Sequence, residues 1–302
     1  MSIRPPRPNR IAVTGANGAI GSRVVERLRA RSDVDIVPIV RDLSRAHPDD
    51  RVRPALAPYE DRAALTAALS GCDCLVLIGS DGEADRMLAH HANIIRAARR
   101  AEVSRTVLLS SLDADPGSPF CYAHTYATTE GWAREALPGV AVLRAGLYAE
   151  FIGRWLWEAA RSGVLSLPMG TGRISPVARR DVADLLTELT LGLRDPNQQI
   201  ELVGPESLDH ADLAGLAGAL GSRSVASDPC DAQTYRDRLA RDEELNPWWA
   251  YAFQTLFASV RENRFDHPGR HGVVGRRTLH VTLGASYRAT VIPGQHSADS
   301  PA

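Results

Sequence analysis

The stretch RIAVTGANGAIG, residues 10–21, places glycines at 15, 18 and 21 directly after a short apolar run. Residues of this kind between a strand and a helix can cradle the phosphates of a dinucleotide. Gly15 permits the tight turn, Gly18 lets the backbone approach a pyrophosphate with no Cβ in the way, and Gly21 lets the helix pack on the strand. The helix start adds free N–H groups and the positive end of a dipole. The alternative, a glycine turn in a sheet that binds no nucleotide, is disfavoured by the strand–turn–helix setting. The next strand ends Val40-Arg41-Asp42. A site that prefers NAD usually carries an acid at that strand end, for the ribose 2′-hydroxyl. Arg41 in that place suits a 2′-phosphate, and so NADP(H), with Arg23 on the first helical turn placed to assist.

Other chemistries are excluded. Lysine and arginine total 35, and every one is arginine. The chain therefore forms no lysine Schiff base and has neither a P-loop lysine nor a Tyr-x-x-x-Lys proton relay. Its four cysteines, Cys72, Cys74, Cys121 and Cys230, lack zinc spacing, and the pair at 72 and 74 opens a buried strand where packing is the expected role. His90-His91 has no ligand-like neighbour in sequence, so no metal is expected. Ser110 and His124 suggest a hydrolase triad, but no G-x-S-x-G elbow surrounds the serine. A net charge of -1 invites neither nucleic acid nor an anionic membrane, and Arg96, Arg99 and Arg100 read as a solvated helix face. No stretch has the apolar length of a membrane span and residues 1–10 do not resemble a signal peptide, so a reducing cytoplasm is the expected location.

The elements that must position these residues follow from the pattern. With 44% hydrophobic and 24% charged residues over 302 positions, the composition is ordinary for a globular protein. Strands are expected at 11–14, 35–40, 74–78, 106–110 and 140–144. Helices are expected at 21–31, 62–69, 87–101 and 128–136. The strand runs are continuously apolar, as in a parallel sheet covered on both faces. The fold class is α/β, a doubly wound parallel (Rossmann) sheet with a smaller, mainly helical C-terminal substrate lobe. Residues 1–150 read as the nucleotide-binding domain, and 151–265 as the lobe, interleaved with the last sheet strands. Residues 266–302 read as a tail with little periodicity, disordered over its last ten or so residues.

The segments LLSSLDADPGSPFCYAHTYATTEGWARE (108–135), AVLRAGLYAEFI (141–152) and GTGRISPVARRDVADLL (170–186) resemble the NmrA-like atypical short-chain dehydrogenase/reductases, in their quinone oxidoreductase and triphenylmethane reductase branch. The resemblance spans about residues 9–225. It implies NADP(H) bound in a Rossmann domain, with substrate held between that domain and a small C-terminal lobe. It assigns Thr14, Gly15, Asn17, Gly18, Ala19 and Ile20 to the phosphate loop and Arg41 to the 2′-phosphate. Gly79 and Ser80 are expected beside the cofactor's ribose. Ser110 and Ser111 end the strand that carries the superfamily's catalytic serine, with Ser110 counted among the cofactor contacts. His124, Tyr126 and Glu130 fall on the helix flanking the nicotinamide, and Tyr148 and Phe151 on a substrate-facing turn. Two departures stand out. Glu130 replaces the relay lysine. Pro58-Tyr59-Glu60-Asp61 replaces the usual acidic-aromatic pattern, so Asp61 is expected to cap the following helix.

Hydride transfer needs mainly position and dryness. A quinone or conjugated cation takes hydride without a strong acid, whereas a simple ketone needs a proton donor. Tyr126, His124 and Ser111 are the catalytic candidates, though a tyrosine without a nearby lysine is a poor acid. Tyr148, Phe151, Trp155 and Trp248 are the candidates for a flat, aromatic pocket, with core or dimer contact as the alternative reading. The expected function is NADPH-dependent reduction of a quinone or other conjugated acceptor, with specialised metabolism as the expected setting. The expected partner is a quinone-like small molecule, with a homodimer left open. A cofactor-sensing regulator without turnover, or a non-redox enzyme on the same scaffold, are the alternatives.

Overall fold

The computed structural model describes residues 8–31, 34–45, 48–194, 199–242, 245–266 and 273–284. In chain order the elements are β1 (Arg10–Val13), α1 (Gly21–Arg31), β2 (Asp35–Val40), β3 (Ala55–Leu56), α2 (Arg62–Leu69), β4 (Cys74–Leu77), α3 (Ala84–Arg100), β5 (Arg105–Ser111), α4 (Cys121–Ala136) and β6 (Val140–Ala145). They continue with α5 (Ala149–Ser162), β7 (Val164–Leu165), α6 (Arg179–Thr190), β8 (Gln199–Val203), α7 (His210–Gly221), β9 (Ala226–Ser227), α8 (Ala232–Ala240), α9 (Pro247–Arg261) and β10 (Val273–Val274).

One sheet has the strand order β10-β8-β6-β5-β4-β1-β2-β3. β1 pairs in parallel with both β2 and β4, as do β4 with β5, β2 with β3 and β8 with β10. The order reverses at β1, which is where an open α/β sheet offers a crevice beyond its strand ends. Ile11, Ala12, Val13, Leu75, Val76 and Leu77 have no exposed surface, as continuously apolar parallel strands require. Cys72 and Cys74 are buried among them, in the packing role expected of them.

The chain divides into two compact units: residues 1–111, 125–144 and 179–200, and residues 112–124, 145–178 and 201–302. A single cut near 150 does not describe this, because the chain crosses between the units repeatedly. In the first unit, α1 buries Val24 and Leu28, each worth roughly 1.5–3 kcal/mol of burial. The second unit has an aromatic core. Trp155 lies 5.0 Å from Phe151, 5.7 Å from Phe253 and 5.2 Å from Phe257, centroid to centroid. A separate two-stranded sheet joins β7 to β9.

Several boundaries differ from the sequence reading. α4 begins at Cys121, seven positions before Thr128, because its inward face is polar: Thr125, Thr129 and Glu130 are buried beside Ala123 and Ala133. A helix whose buried stripe is half polar does not announce itself by apolar period. Asp181 sits inside the first turn of α6, buried, where an acid meets the positive dipole end. Residues 273–284 carry β10 and a helical stretch at 279–284, with Leu279 and Leu283 in the core of the second unit. The expectation for the last ten residues lies outside the described ones.

Asp61 caps α2 as expected, its side chain accepting from the Ala64 N–H at 2.9 Å. Asp61→Ala should lower unfolding stability by about 1 kcal/mol in urea titration. An unchanged midpoint would show that the cap bond contributes nothing.

Candidate functional site

The glycine turn is built as a cradle without side chains. Gly15 has φ +61°, and the Gly18 N–H donates to the Gly15 carbonyl at 2.9 Å. A Cβ on Gly21 would lie 2.1 Å from the Gly15 oxygen, and one on Gly18 3.1 Å from it. Gly15 is therefore held to a left-handed conformation and Gly21 to the absence of a side chain. Ala19 is half-buried and Ile20 buried where α1 begins, with the free N–H groups of a helix start beside them. Thr14 is fully buried and braces the turn. The Ile78 N–H donates to its Oγ1 at 2.8 Å, and that hydroxyl donates to the Ile78 carbonyl at 2.9 Å. Asn17 Nδ2 donates to the Asp42 carbonyl at 2.9 Å, tying the turn to the chain after β2. Arg23 donates to the Ala19 carbonyl from within the turn, while Arg41 is exposed at the end of β2. This cradle and its flanking guanidinium fit a dinucleotide carrying an extra phosphate.

The exit of β4 holds groups that sequence spacing did not reveal. His90 Nδ1 lies 2.9 Å from Ser80 Oγ, and its Nε2 lies 2.9 Å from Glu60 Oε1. Tyr59, behind Gly15, donates its hydroxyl to the Ile78 carbonyl at 3.1 Å, and burial pushes its phenol up to about 12. Asp81 is exposed yet closely surrounded; desolvation pushes its carboxyl up, while Arg179 and Arg41 pull it down. His91 is almost wholly buried. Its Nδ1 sits 2.8 Å from Thr129 Oγ1, and that hydroxyl donates to the Thr125 carbonyl at 2.8 Å. Thr129 must therefore accept from His91, which fixes the proton on Nδ1 and leaves Nε2 without a partner. A Cβ on Gly79 would meet that Nε2 at 2.3 Å, so glycine at 79 is a packing requirement of His91.

At the end of β5, Ser110 is buried and donates to Glu130 Oε1 at 2.6 Å. Its hydroxyl is thus engaged with α4. Glu130, 2% exposed, is gripped by Arg144 through Nε and Nη2, each at 2.8 Å, and by Arg134 Nη1 at 3.0 Å. The position of the superfamily's lysine is a buried carboxylate locked in an arginine fork. Ser111 and Tyr126 are half-buried in the first unit, and His124, exposed, belongs to the second. In the second unit Tyr148 stands at the N-cap of α5, with the Phe151 N–H donating to its carbonyl at 3.0 Å. Trp155 is 9% exposed within the aromatic core and presents little ring to a ligand. Trp248 is half-buried and donates from Nε1 to the Tyr122 hydroxyl at 2.9 Å. Among the described residues no cluster suits a metal ion, and no helix is long and apolar enough to cross a membrane.

Residues 15–138 match the family model described as NAD(P)H-binding. Quinone oxidoreductase 2 of Escherichia coli (strain K12) is 32% identical over 207 residues, covering 68% of this chain and 72% of that one. NAD(P)H azoreductase of Xenophilus azovorans is 25% identical over 217 residues, 71% of this chain and 75% of that one. The crystal structure of the Escherichia coli NADPH-dependent quinone oxidoreductase complexed with NADPH superposes with a TM-score of 0.85 at 25% identity, over 92% of this chain and 99% of that one. The Citrobacter sp. triphenylmethane reductase complexed with NADP(H) gives 0.80 at 21% identity, over 91% and 99%, a likeness of fold.

Two outcomes are expected. Burial, and secondarily the charge of His90, lowers His91 from 6.5 to about 4. The unfolded chain then binds more protons than the folded one between those values. Stability should be fully present above pH 6.5 and fall by roughly 3 kcal/mol toward pH 4 on account of this group. Urea midpoints across that window should fall less steeply in His91→Gln; parallel slopes would refute it. Glu130→Ala leaves Arg144 facing a buried void and should destabilise by about 3 kcal/mol. Adding Arg144→Leu should recover part of that loss, whereas strictly additive effects would mean that the pair is not coupled.

Proposed function

The chain belongs to the NmrA-like atypical short-chain dehydrogenase/reductases, and from that premise we propose that it passes hydride from NADPH to a quinone or another conjugated carbonyl or aromatic acceptor, without a Tyr-Lys relay. It is an NAD(P)H-dependent oxidoreductase, and its cofactor is NADP(H). The observation that carries the acceptor class is Glu130. At the place where a lysine would stand four residues after Tyr126, a carboxylate is fully committed to Arg144, Arg134 and Ser110. A carboxylate neutralised by a fork of donors brings no positive charge to a phenol, so strong acid catalysis is not built in here.

When bound, NADPH supplies the hydride. The chain's own residues do the rest. The Gly15–Gly21 turn and the start of α1 present backbone N–H groups to the phosphates, and Arg41 offers its guanidinium to the 2′-phosphate. Tyr126 and Ser111 carry the hydroxyls proposed to orient a carbonyl oxygen, with His124 a further candidate. Tyr148 and Phe151 are the aromatic faces proposed to receive a flat acceptor, and Trp248, pinned by Tyr122, is proposed as part of the same apolar surface. An acceptor that spreads the arriving charge over a conjugated system needs orientation more than protonation, which is what these groups offer. The quinone, azo and dye reductases among the relatives support this reading.

The test is loss of reduced-nicotinamide absorbance against a panel of quinones, conjugated enones and cationic dyes, with NADPH and NADH in parallel. Turnover with NADPH is expected, and Arg41→Ala should raise KM for NADPH by roughly tenfold or more while changing NADH little. Tight NADPH binding with no turnover on any acceptor would overturn the reading. Efficient reduction of aliphatic ketones, abolished by Tyr126→Phe, would overturn the acceptor class.

A further inference from the structure

We propose that the second unit carries a binding site for a small, flat aromatic anion, a carboxylate or sulfonate on one or two fused rings, in the cavity between α8 and α9. The cavity measures about 230 Å³. Drug-sized ligands occupy roughly 300–1,000 Å³, so the space suits a smaller ring system. One wall is a single stripe of α9: Tyr251, Gln254, Thr255, Ala258 and Arg261. These positions recur at the spacing that puts side chains on one helical face. Ala232, Tyr235 and Arg236 of α8 form the opposite wall with the same periodicity. Ala232 and Ala258 are the reason that space remains, since a longer side chain at either would fill it. Pro119 and Pro168, with the exposed ring of Tyr251, supply apolar surface for a planar ligand, while Tyr235, buried against Phe257 and under the Arg238 guanidinium, closes the floor.

The charge of the ligand follows from the donors. Among the described residues, two guanidinium groups line the cavity and no carboxylate does. Arg261 is anchored at the edge by one bond, Nη1 to the Pro168 carbonyl at 2.7 Å. One such bond leaves most of its five N–H donors without an acceptor. Arg236 has no hydrogen bond or ion pair among the described residues, and neither does the Gln254 amide. Tyr235, 2% exposed, has a hydroxyl without any partner. A surface arginine alone is unremarkable, because solvent satisfies it. Here two arginines and an amide share the walls of one partly apolar cavity, and the complement to that excess of donors is an acceptor-rich anion on an aromatic body. None of these residues belongs to the phosphate cradle, and none is among Tyr148, Phe151, Trp155 and Trp248. Tyr251 touches Trp248, ring centroids 5.7 Å apart, but Arg236 and Arg261, on which the test turns, are not among the residues proposed for the reductase, so the two readings are tested separately.

Isothermal titration of the full chain with 2-naphthoate, and with the neutral 2-naphthamide as control, tests it. Saturable binding of naphthoate is expected, weakened by added salt. Naphthamide should bind at least about tenfold more weakly. Arg236→Gln changes an exposed helical position and should leave the thermal midpoint and NADPH affinity as they are, while weakening naphthoate by roughly tenfold. Ala258→Leu should fill the cavity and remove binding. The proposal is overturned if naphthoate shows no saturable binding at millimolar concentration, if naphthamide binds equally well, or if Arg236→Gln and Arg261→Gln both bind as the parent chain does.

Discussion

The carbonyl of Gly15 and the α-carbon of Gly21 approach so closely that even a methyl group on residue 21 would overlap the oxygen, at 2.1 Å. That contact sets where α1 begins and how it leans on β1. It is reinforced from every side. Thr14 bonds to both backbone groups of Ile78, Tyr59 closes behind Gly15 and bonds to the same carbonyl, and Asn17 ties the outer turn to Asp42. The strands that meet here, β1 with β2 and β4, are buried except at their starts, Arg10 and Asp35. A turn clamped in this way presents backbone N–H groups at fixed positions, so little ordering would remain to be done for a phosphate received there.

The second organising contact is ionic. Glu130 is taken out of water between α4, β5 and β6, and a buried carboxylate is tolerable only when its lone pairs are filled. Arg144 fills two of them in fork geometry, Arg134 a third and Ser110 another. The pair adds little net stability compared with an apolar core, because desolvation offsets most of the attraction. What it does is fix the relative positions of the three elements that carry Tyr126, Ser111 and the end of β6. A lysine in that place would hold one flexible point charge; the fork holds a plane.

Much of the first unit was legible in the sequence because its signals are local. Continuous apolar runs, a glycine spacing and a capping aspartate each state their structure within a few residues, and β1, β2, β4, α1 and the Asp61 cap stand where those signals put them. The unread part is what depends on residues far apart. Nothing near Glu60 announces that His90, itself bonded to Ser80, will meet it, and nothing near Ser110 announces Glu130. The start of α4 escaped for a related reason: its inward face carries threonines and a glutamate whose partners come from other elements. Trp155 read as pocket or core with equal ease, since an aromatic at a helix start obeys the same period in both cases, and the surrounding Phe151, Phe253 and Phe257 were needed to place it.

These two kinds of contact explain how one scaffold keeps a cofactor while its chemistry drifts. The turn proposed to cradle the phosphates is made from backbone and from the absence of side chains, so few substitutions elsewhere can disturb it. The positions proposed for acid–base work are single side chains on α4 and β5, each open to exchange if its charge is compensated. Replacing a lysine by Glu130 would strand a buried negative charge unless Arg144 were there to receive it, so the two residues are one feature. On the proposed reading, that exchange alters the charge carried by α4 and leaves the glycine turn untouched, and hydride transfer there would depend on geometry and a low-lying acceptor more than on proton donation.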